Sequence, residues 1–311
     1  MADYPNILVG IITCKRPKML AHLLDSLAQQ TIFNTDINIE IVIVDNDAEQ
    51  GAKDVFDQYS DKIQCEMQYL NEVKRGIPFA RNKVLEHAIN RQTEYIAFID
   101  DDETANPGWL LTMYKIITSE AVDAVKGPVI SLLPENAPSW AIKEVKKKSN
   151  RKEGEQIEGL ATNNVIFSSK LIVEKGLRFD EIYALSGGSD IDFFQRAARL
   201  GSQHIWTNHV QVYEKIPESR LTLKWEFQRS FRVGATNTFS SIQQRGVGYG
   251  IKRYSLKIIA RLLFGPLLLI TTGIFSAKMR LLSIRWIGSA IGHFLGFFRI
   301  LGSEYSDIHG E

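Results

Sequence analysis

The run Tyr95-Ile96-Ala97-Phe98-Ile99 is followed without a break by Asp100-Asp101-Asp102-Glu103. It is short and rich in β-formers, so it reads as a buried strand rather than a helix. Such a strand delivers several carboxylates into one small space at its C-terminal edge. Like charges that close repel, and the cluster is costly unless protons or a cation neutralise it. Hard divalent cations such as Mn²⁺ or Mg²⁺ take oxygen ligands and often bridge one or two carboxylates to a substrate phosphate. In an α/β sheet, ligands bind at the carboxyl ends of the strands, where this cluster falls. The competing reading is a solvated acidic turn ahead of Pro107-Gly108.

The first half of the chain alternates strand and helix patterns. Ile7–Thr13, Ile39–Val44, Cys65–Leu70 and Ala124–Ile130 are β-rich apolar runs. Between them, Pro17 opens a helical pattern through Leu27, Val55–Tyr59 fits a short helix, and Ile77–Ile89 and Trp109–Ser119 carry apolar residues at helical spacing. This alternation predicts an α/β fold, a mostly parallel sheet with helices on both faces. From Leu133 to Glu158 the chain turns polar, which predicts a loop or flap before a strand at Asn164–Phe167. Its run Lys146-Lys147-Lys148 is either a solvated face or a contact for phosphate or lipid headgroups.

A net charge of +1 hides an uneven distribution. Phe227–Ser303 contains no Asp or Glu but holds eleven of the 37 basic residues, leaving 26 against 36 acidic residues elsewhere. An acidic body with a basic, apolar tail suits a protein that faces an anionic membrane. Within the tail, Leu262–Ala277 and Trp286–Phe298 are uncharged runs of sixteen and thirteen residues, shorter than the roughly twenty a span requires. They read as an interfacial anchor, peripheral or monotopic, or else as a helical hairpin packed on the protein's own core. Two cysteines exclude a disulfide framework. Met1–Pro5 leads straight into a strand-like run with no signal-peptide pattern, so the body is expected to be cytosolic.

The strand ends gather the polar residues. Thr13-Cys14-Lys15-Arg16-Pro17 follows the first strand and Asp45 ends the second, while Lys74-Arg75-Gly76 and Arg81 mark a helix N-terminus suited to phosphate. No GxGxxG or P-loop pattern is present, which argues against dinucleotide enzymes and P-loop NTPases. A second acidic site, Gly187-Gly188-Ser189-Asp190, looks like a helix start, and Ser189 or Asp190 there is either a plain N-cap or something more.

Taken in order, these elements resemble the family-2 inverting glycosyltransferases of the GT-A fold, in the bacterial exopolysaccharide and lipopolysaccharide group. The resemblance covers about residues 5–235: the Thr-x-x-Arg-Pro turn at Thr13–Pro17, the acid at Asp45, the Gly-x-x-x-Ala-Arg-Asn element at Gly76–Asn82, the Asp-x-Asp motif at Asp100-Asp101-Asp102, and a catalytic Asp at Asp190. It implies a Rossmann-like nucleotide-sugar domain at 1–235, with a donor half at about 1–130 and an acceptor half at 131–235, followed by a membrane-associating tail at 236–311. It further implies Asp102 as ligand of Mn²⁺ or Mg²⁺, Asp190 as general base, and a donor site drawn from Thr13, Arg16, Asp45, Arg81, Asp100, Asp101, Arg229 and Arg232. The implied partners are a nucleotide-diphosphate sugar, a saccharide or lipid-linked acceptor and a membrane surface, with no nucleic acid. The implied location is the cytoplasmic face of a bacterial inner membrane. Two departures stand out: Ser189 occupies the place of the family's Glu, and Gln228–Arg232 lacks the Trp of the processive synthases' Gln-x-x-Arg-Trp element. Trp140 is a candidate sugar platform or an ordinary loop aromatic. A sugar-nucleotidyltransferase shares the sheet logic but predicts a Gly-rich basic loop that Val9–Ile12 does not supply. A non-catalytic membrane adaptor would not need the acids.

Overall fold

The computed structural model describes residues 6–145 and 151–302. The expectations for Met1–Pro5 and for Lys146-Lys147-Lys148 lie outside the described residues. In chain order the elements are β1 (Asn6–Thr13), α1 (Pro17–Leu27), β2 (Asn38–Asp45), α2 (Lys53–Tyr59), β3 (Glu66–Asn71), α3 (Ile77–Asn90), β4 (Tyr95–Phe98), β5 (Glu103–Ala105), α4 (Trp109–Ser119), β6 (Ala124–Lys126) and β7 (Val129–Leu132). They continue with α5 (Ser139–Val145), β8 (Val165–Ser168), α6 (Lys170–Val173), α7 (Ser189–Arg199), β9 (His204–Trp206), β10 (Val212–Lys215), α8 (Leu223–Arg245), α9 (Val247–Leu268) and α10 (Ala277–Gly296).

Seven strands form one sheet in the order β3-β2-β1-β4-β8-β6-β9. All neighbours are parallel except β8, which runs antiparallel to β4 and β6. Alternation along β1 explains why both faces are covered. Ile7, Val9 and Ile11 join α1 and α4 in one core, while Leu8 points to the other, built with α3, α7 and the rings of Phe98, Phe167 and Phe193. A strand buried on both faces reads as an unbroken apolar run, which is why these were visible in the sequence.

The expected single strand at Ala124–Ile130 is two. Pro128 removes a donor, and a Cβ on Gly127 would lie 2.1 Å from the Val210 carbonyl. The chain therefore leaves the large sheet after β6, and β7 enters a three-stranded sheet ordered β5-β10-β7. Asn164 clamps this junction: its side chain accepts from Trp109 Nε1 at 2.8 Å and donates to the carbonyls of Pro128 and Val210. The polar stretch expected as loop contains α5.

The tail folds as a helical layer. The 235/236 division falls inside α8, which is continuous across it. The apolar run Trp286–Phe298 lies mostly in α10, whose small-residue face packs along α8 while Phe294 and Phe298 stay exposed. Cβ atoms on Gly288, Gly292 and Gly296 would lie 2.6, 2.0 and 2.5 Å from the carbonyls of Phe227, Phe231 and Ala235 on α8, so the two backbones meet where only glycine fits. Gly292→Ala should therefore cost about 1–3 kcal/mol by overpacking, read as a lower thermal midpoint. Gly248→Ala, where nothing lies within 4 Å, should be neutral or stabilising.

The α9 helix behaves differently. Leu256, Ile259, Leu263, Phe264, Leu267 and Ile270 are exposed along it and the π-helical turn Leu269–Gly273 that continues it. Val247–Gly273 is long and apolar enough to cross a bilayer: 27 residues, mean hydropathy 1.6 in its most apolar window and 17% of that window buried.

Candidate active site

A cavity of about 540 Å³ opens at the carboxyl ends of β1, β2 and β4, within the usual size of a small-molecule site. Thr13 lines it from the end of β1, Cys14 and Arg16 from the loop that follows, Asn46 from beyond β2, and Asp100, Asp101 and Asp102 from beyond β4. Arg75, Gly76, Ile77 and Arg81 line it from the start of α3. The opposite wall carries Trp140 of α5, Glu214 of β10 and Arg220. Trp225, Glu226 and Arg229 of α8 and Arg285 of α10 close it.

The strand-end carboxylates are not solvated, which removes the acidic-turn reading. Asp101 is buried, accepting from Thr13 Oγ1 at 2.8 Å and from Arg16 Nη1 at 3.1 Å. Arg16 also lies 3.5 Å from Asp102, and Arg220 lies 3.5 Å from Asp102 while donating to Glu214 at 2.6 Å. Burial pushes the Asp101 carboxyl up to about 7, against the pull of Arg16. Burial and the charge of Asp102 raise Asp100 to about 6 and Glu214 to about 7. Glu103, deeply buried beside Asp100, is held well above the carboxylate range.

These oxygens fit a hard divalent cation. Among the described residues no three acidic, His or Cys side chains form a ready cage. The arrangement instead matches a cation that uses one or two protein carboxylates and completes its shell with substrate phosphate and water. The raised carboxyls also set a pH dependence. Their folded-state pKa values exceed the unfolded ones, so the native state binds more protons between about pH 4 and 7, and stability of metal-free protein falls as pH rises through that window. Metal-free protein should thus melt higher at about pH 5.5 than at about pH 8, and Mn²⁺ should raise the midpoint more at the higher pH. A flat midpoint with no Mn²⁺ response would remove this picture.

Asp45 sits behind the cavity wall, fully buried. It accepts from the backbone N–H groups of Asp47 and Ala52, both at 3.0 Å, and from the Tyr69 hydroxyl at 2.8 Å. Asn46 takes the place on the wall. Its side chain donates to the carbonyls of Glu72 and Lys74 and accepts from Gly76 N–H at 2.8 Å, tying the end of β2 to the start of α3.

Asp190 stands in the first turn of α7, which starts after Gly188 at φ +95°, a conformation glycine adopts readily. Neither Ser189 nor Asp190 is the N-cap. Ser189 Oγ accepts from Arg81 Nη1 at 2.9 Å, and Asp190 accepts from the adjacent Ile191 N–H. The Asp190 charge reaches Asp100 and the buried Lys126. Asp45, Asp190 and Arg232 do not line the cavity, whereas Thr13, Arg16, Arg81, Asp100, Asp101, Asp102 and Arg229 do. Arg229 places its guanidinium 5.6 Å from the Trp225 ring centre, and Arg232 is buried in α8. Sequence reasoning missed Asn46, Glu214, Arg220, Trp225, Glu226 and Arg285. Only the acid-free stretch Phe227–Ser303, which denies Arg285 a carboxylate within its own region, hinted that its partner lies outside it.

The chain matches the glycosyl transferase family 2 model over residues 8–177, more than half its length, and belongs to that family. The succinoglycan biosynthesis protein ExoM of Rhizobium meliloti (strain 1021) is 29% identical over 239 residues, covering 75% of this chain and 74% of that one. Among solved structures, the mannosyltransferase PcManGT of Pyrobaculum calidifontis, in complex with GDP-Man and Mn²⁺, superposes with TM-score 0.62 at 16% identity, covering 94% of this chain and 88% of that one. S. aureus TarS 1–349 in complex with UDP gives TM-score 0.53 at 15% identity, covering 93% and 90%; against the longer TarS structure this chain spans 55% of the partner. The fold is GT-A, as the motifs implied.

Proposed function

We propose that the protein transfers a sugar from a nucleotide-diphosphate sugar to a hydroxyl of a saccharide or lipid-linked acceptor, with inversion, in cell-surface polysaccharide synthesis. One observation carries this reading: a single cavity brings six arginines (Arg16, Arg75, Arg81, Arg220, Arg229 and Arg285) to the strand-end carboxylates, a charge pattern suited to a diphosphate plus a divalent ion. ExoM's name and the nucleotide-sugar complexes of the structural neighbours support it.

In this reading residues 1–130 bind the donor and 131–235 shape the acceptor side. Thr13 and Arg16 fix Asp101 and so hold the loop after β1 against the donor. Asp45 organises the base pocket through the loop it braces, and Asp100 faces the ribose. Asp102 would hold Mn²⁺ or Mg²⁺, which when bound supplies positive charge to the leaving diphosphate. Arg81 and Arg229 stabilise the same charge, with Arg232 supporting α8 from within. Asp190 takes the proton of the acceptor hydroxyl as it attacks the anomeric carbon from the face opposite the diphosphate. A screen of UDP-, GDP- and dTDP-sugars for divalent-dependent turnover tests the reading, with the product's anomeric configuration read by NMR. No turnover of any donor, or retention of configuration, would overturn it.

In this reading the tail holds the enzyme at the cytoplasmic face of a membrane. Lys252, Arg253, Lys257 and Arg261 lie within the long apolar helix, a composition that favours lying in the interface over spanning. The protein should pellet with membranes, resist a high-salt wash in part because salt leaves apolar insertion intact, and release with detergent. A protein that stays soluble and monomeric without lipid would remove the membrane assignment.

A further inference from the structure

A second cavity, of about 510 Å³, lies between α9 and α10 on the outer side of the helical layer. Lys257 and Arg261, one turn apart on α9, line one end. Phe264, Leu267 and Leu268 of α9 and Trp286 of α10 line the rest. From Arg261 to Thr271 the groove follows the helix for about 15 Å. It is thus cationic at one end and apolar along its length.

The two cations have no counter-ion within their own region, because Phe227–Ser303 contains no acid. Among the described residues neither lies within salt-bridge distance of a carboxylate from elsewhere. Like charges one helical turn apart repel, so the pair is a standing cost to the free protein. Arg261 is nonetheless held in place: its Nη1 donates to Ser289 Oγ at 2.6 Å, leaving other N–H groups of the guanidinium to offer. Their field extends to His293, whose imidazole is pushed down to about 4 by burial and then by Arg261 and Lys257. At the apolar end, the Thr271 and Thr272 hydroxyls donate to the carbonyls of Leu267 and Leu268, so neither side chain presents a free donor there.

We propose that this groove binds one net-anionic phospholipid, its phosphate held by Lys257 and Arg261 and one chain lying along Phe264, Leu267, Leu268 and Trp286. The proposal rests on the reading that the tail meets a membrane, and it deepens that reading from a charged surface to a built site. Charge complementarity selects this occupant over a second copy of the chain, whose same segment is as basic and acid-free and would bring cations against cations. The site also touches the catalytic unit: Trp286 lines the groove while its neighbour Arg285 lines the catalytic cavity, paired to Glu226 at 2.7 and 3.0 Å.

The test is native mass spectrometry of the full chain released from dodecyl maltoside, with phosphatidylglycerol or phosphatidylcholine added. One phosphatidylglycerol should be retained per chain and phosphatidylcholine lost. Lys257→Gln with Arg261→Gln should lower retention by about tenfold or more, the scale of two lost cation–phosphate contacts. The charge-matched pair Lys252→Gln and Lys278→Gln should leave it unchanged. Ala260→Phe, which fills the groove without altering charge, should act like the first pair and keeps the proposal testable if that pair unfolds. Equal losses from both charge pairs would overturn the site in favour of diffuse electrostatics, and so would equal retention of both lipids or a detergent-stable dimer that forms without lipid. Failure of the wild type to pellet with phosphatidylglycerol vesicles would overturn the membrane reading itself, whereas pelleting without a retained lipid would overturn the groove alone.

Discussion

Asp190→Asn is expected to lower kcat by about 10²- to 10⁴-fold, the usual value of a general base, while leaving the donor KM close to that of the wild type. The substitution keeps the shape of the side chain and its bond from Ile191 N–H, but removes the site that takes the acceptor's proton. The Arg81–Ser189 contact that sets the first turn of α7 does not involve the Asp190 carboxylate, so folding should be unchanged by circular dichroism. Loss confined to kcat is the outcome that separates a base from a donor ligand. Near-normal turnover would move the role to Glu214. That residue lines the cavity and its carboxyl is held at about 7 by burial and Asp102. Asp192, next along the helix, is unsuited, because it is buried and bonded to Arg196 and Gln244, both at 2.7 Å.

The second large effect is expected for Asp102→Ala. Metal-stimulated turnover should fall by about 10²- to 10³-fold or more, the scale of removing one electrostatic stabiliser from a closed site. Mn²⁺ binding followed by calorimetry should be lost with it. The fold should survive, because Arg16 keeps Asp101 and Arg220 keeps Glu214. Removing a like charge also relieves Asp100, so the metal-free variant should melt no lower than the wild type. Normal Mn²⁺ binding in the variant would shift the ligand to Asp100, and full wild-type activity in excess EDTA would end the metal-dependent mechanism.

Much of the α/β layer was legible because its signals are local. Strands buried on both faces appear as unbroken apolar runs, Pro17 and Pro78 mark helix starts, and the strand-end acids stand out against the apolar residues before them. The helical pattern near Trp109–Ser119 coincides with α4. Where the local signal conflicted with packing, the reading slipped. Ala124–Ile130 is apolar enough for one strand, but only the Val210 carbonyl pressed against Gly127 shows why it breaks.

The site divides in the same way. Thr13, Arg16, Arg81 and Asp100–Asp102 could be picked out because each lies within a few residues of a strand end or helix start. Glu214, Arg220, Trp225 and Arg285 reach the same cavity from elements 100 or more residues away, and no spacing rule links them to β4. The tail is the sharpest case. Its composition established a basic, acid-free, apolar region, since charge and hydropathy are properties of residues alone. Which run faces outward depends on which face finds a partner. The glycines of α10 let its small-residue face press onto α8, leaving Phe294 and Phe298 outside, while α9 keeps Leu256, Leu263 and Leu267 exposed. Two uncharged runs of one tail thus have different fates, because burial depends on backbone approach between helices as well as on apolar content.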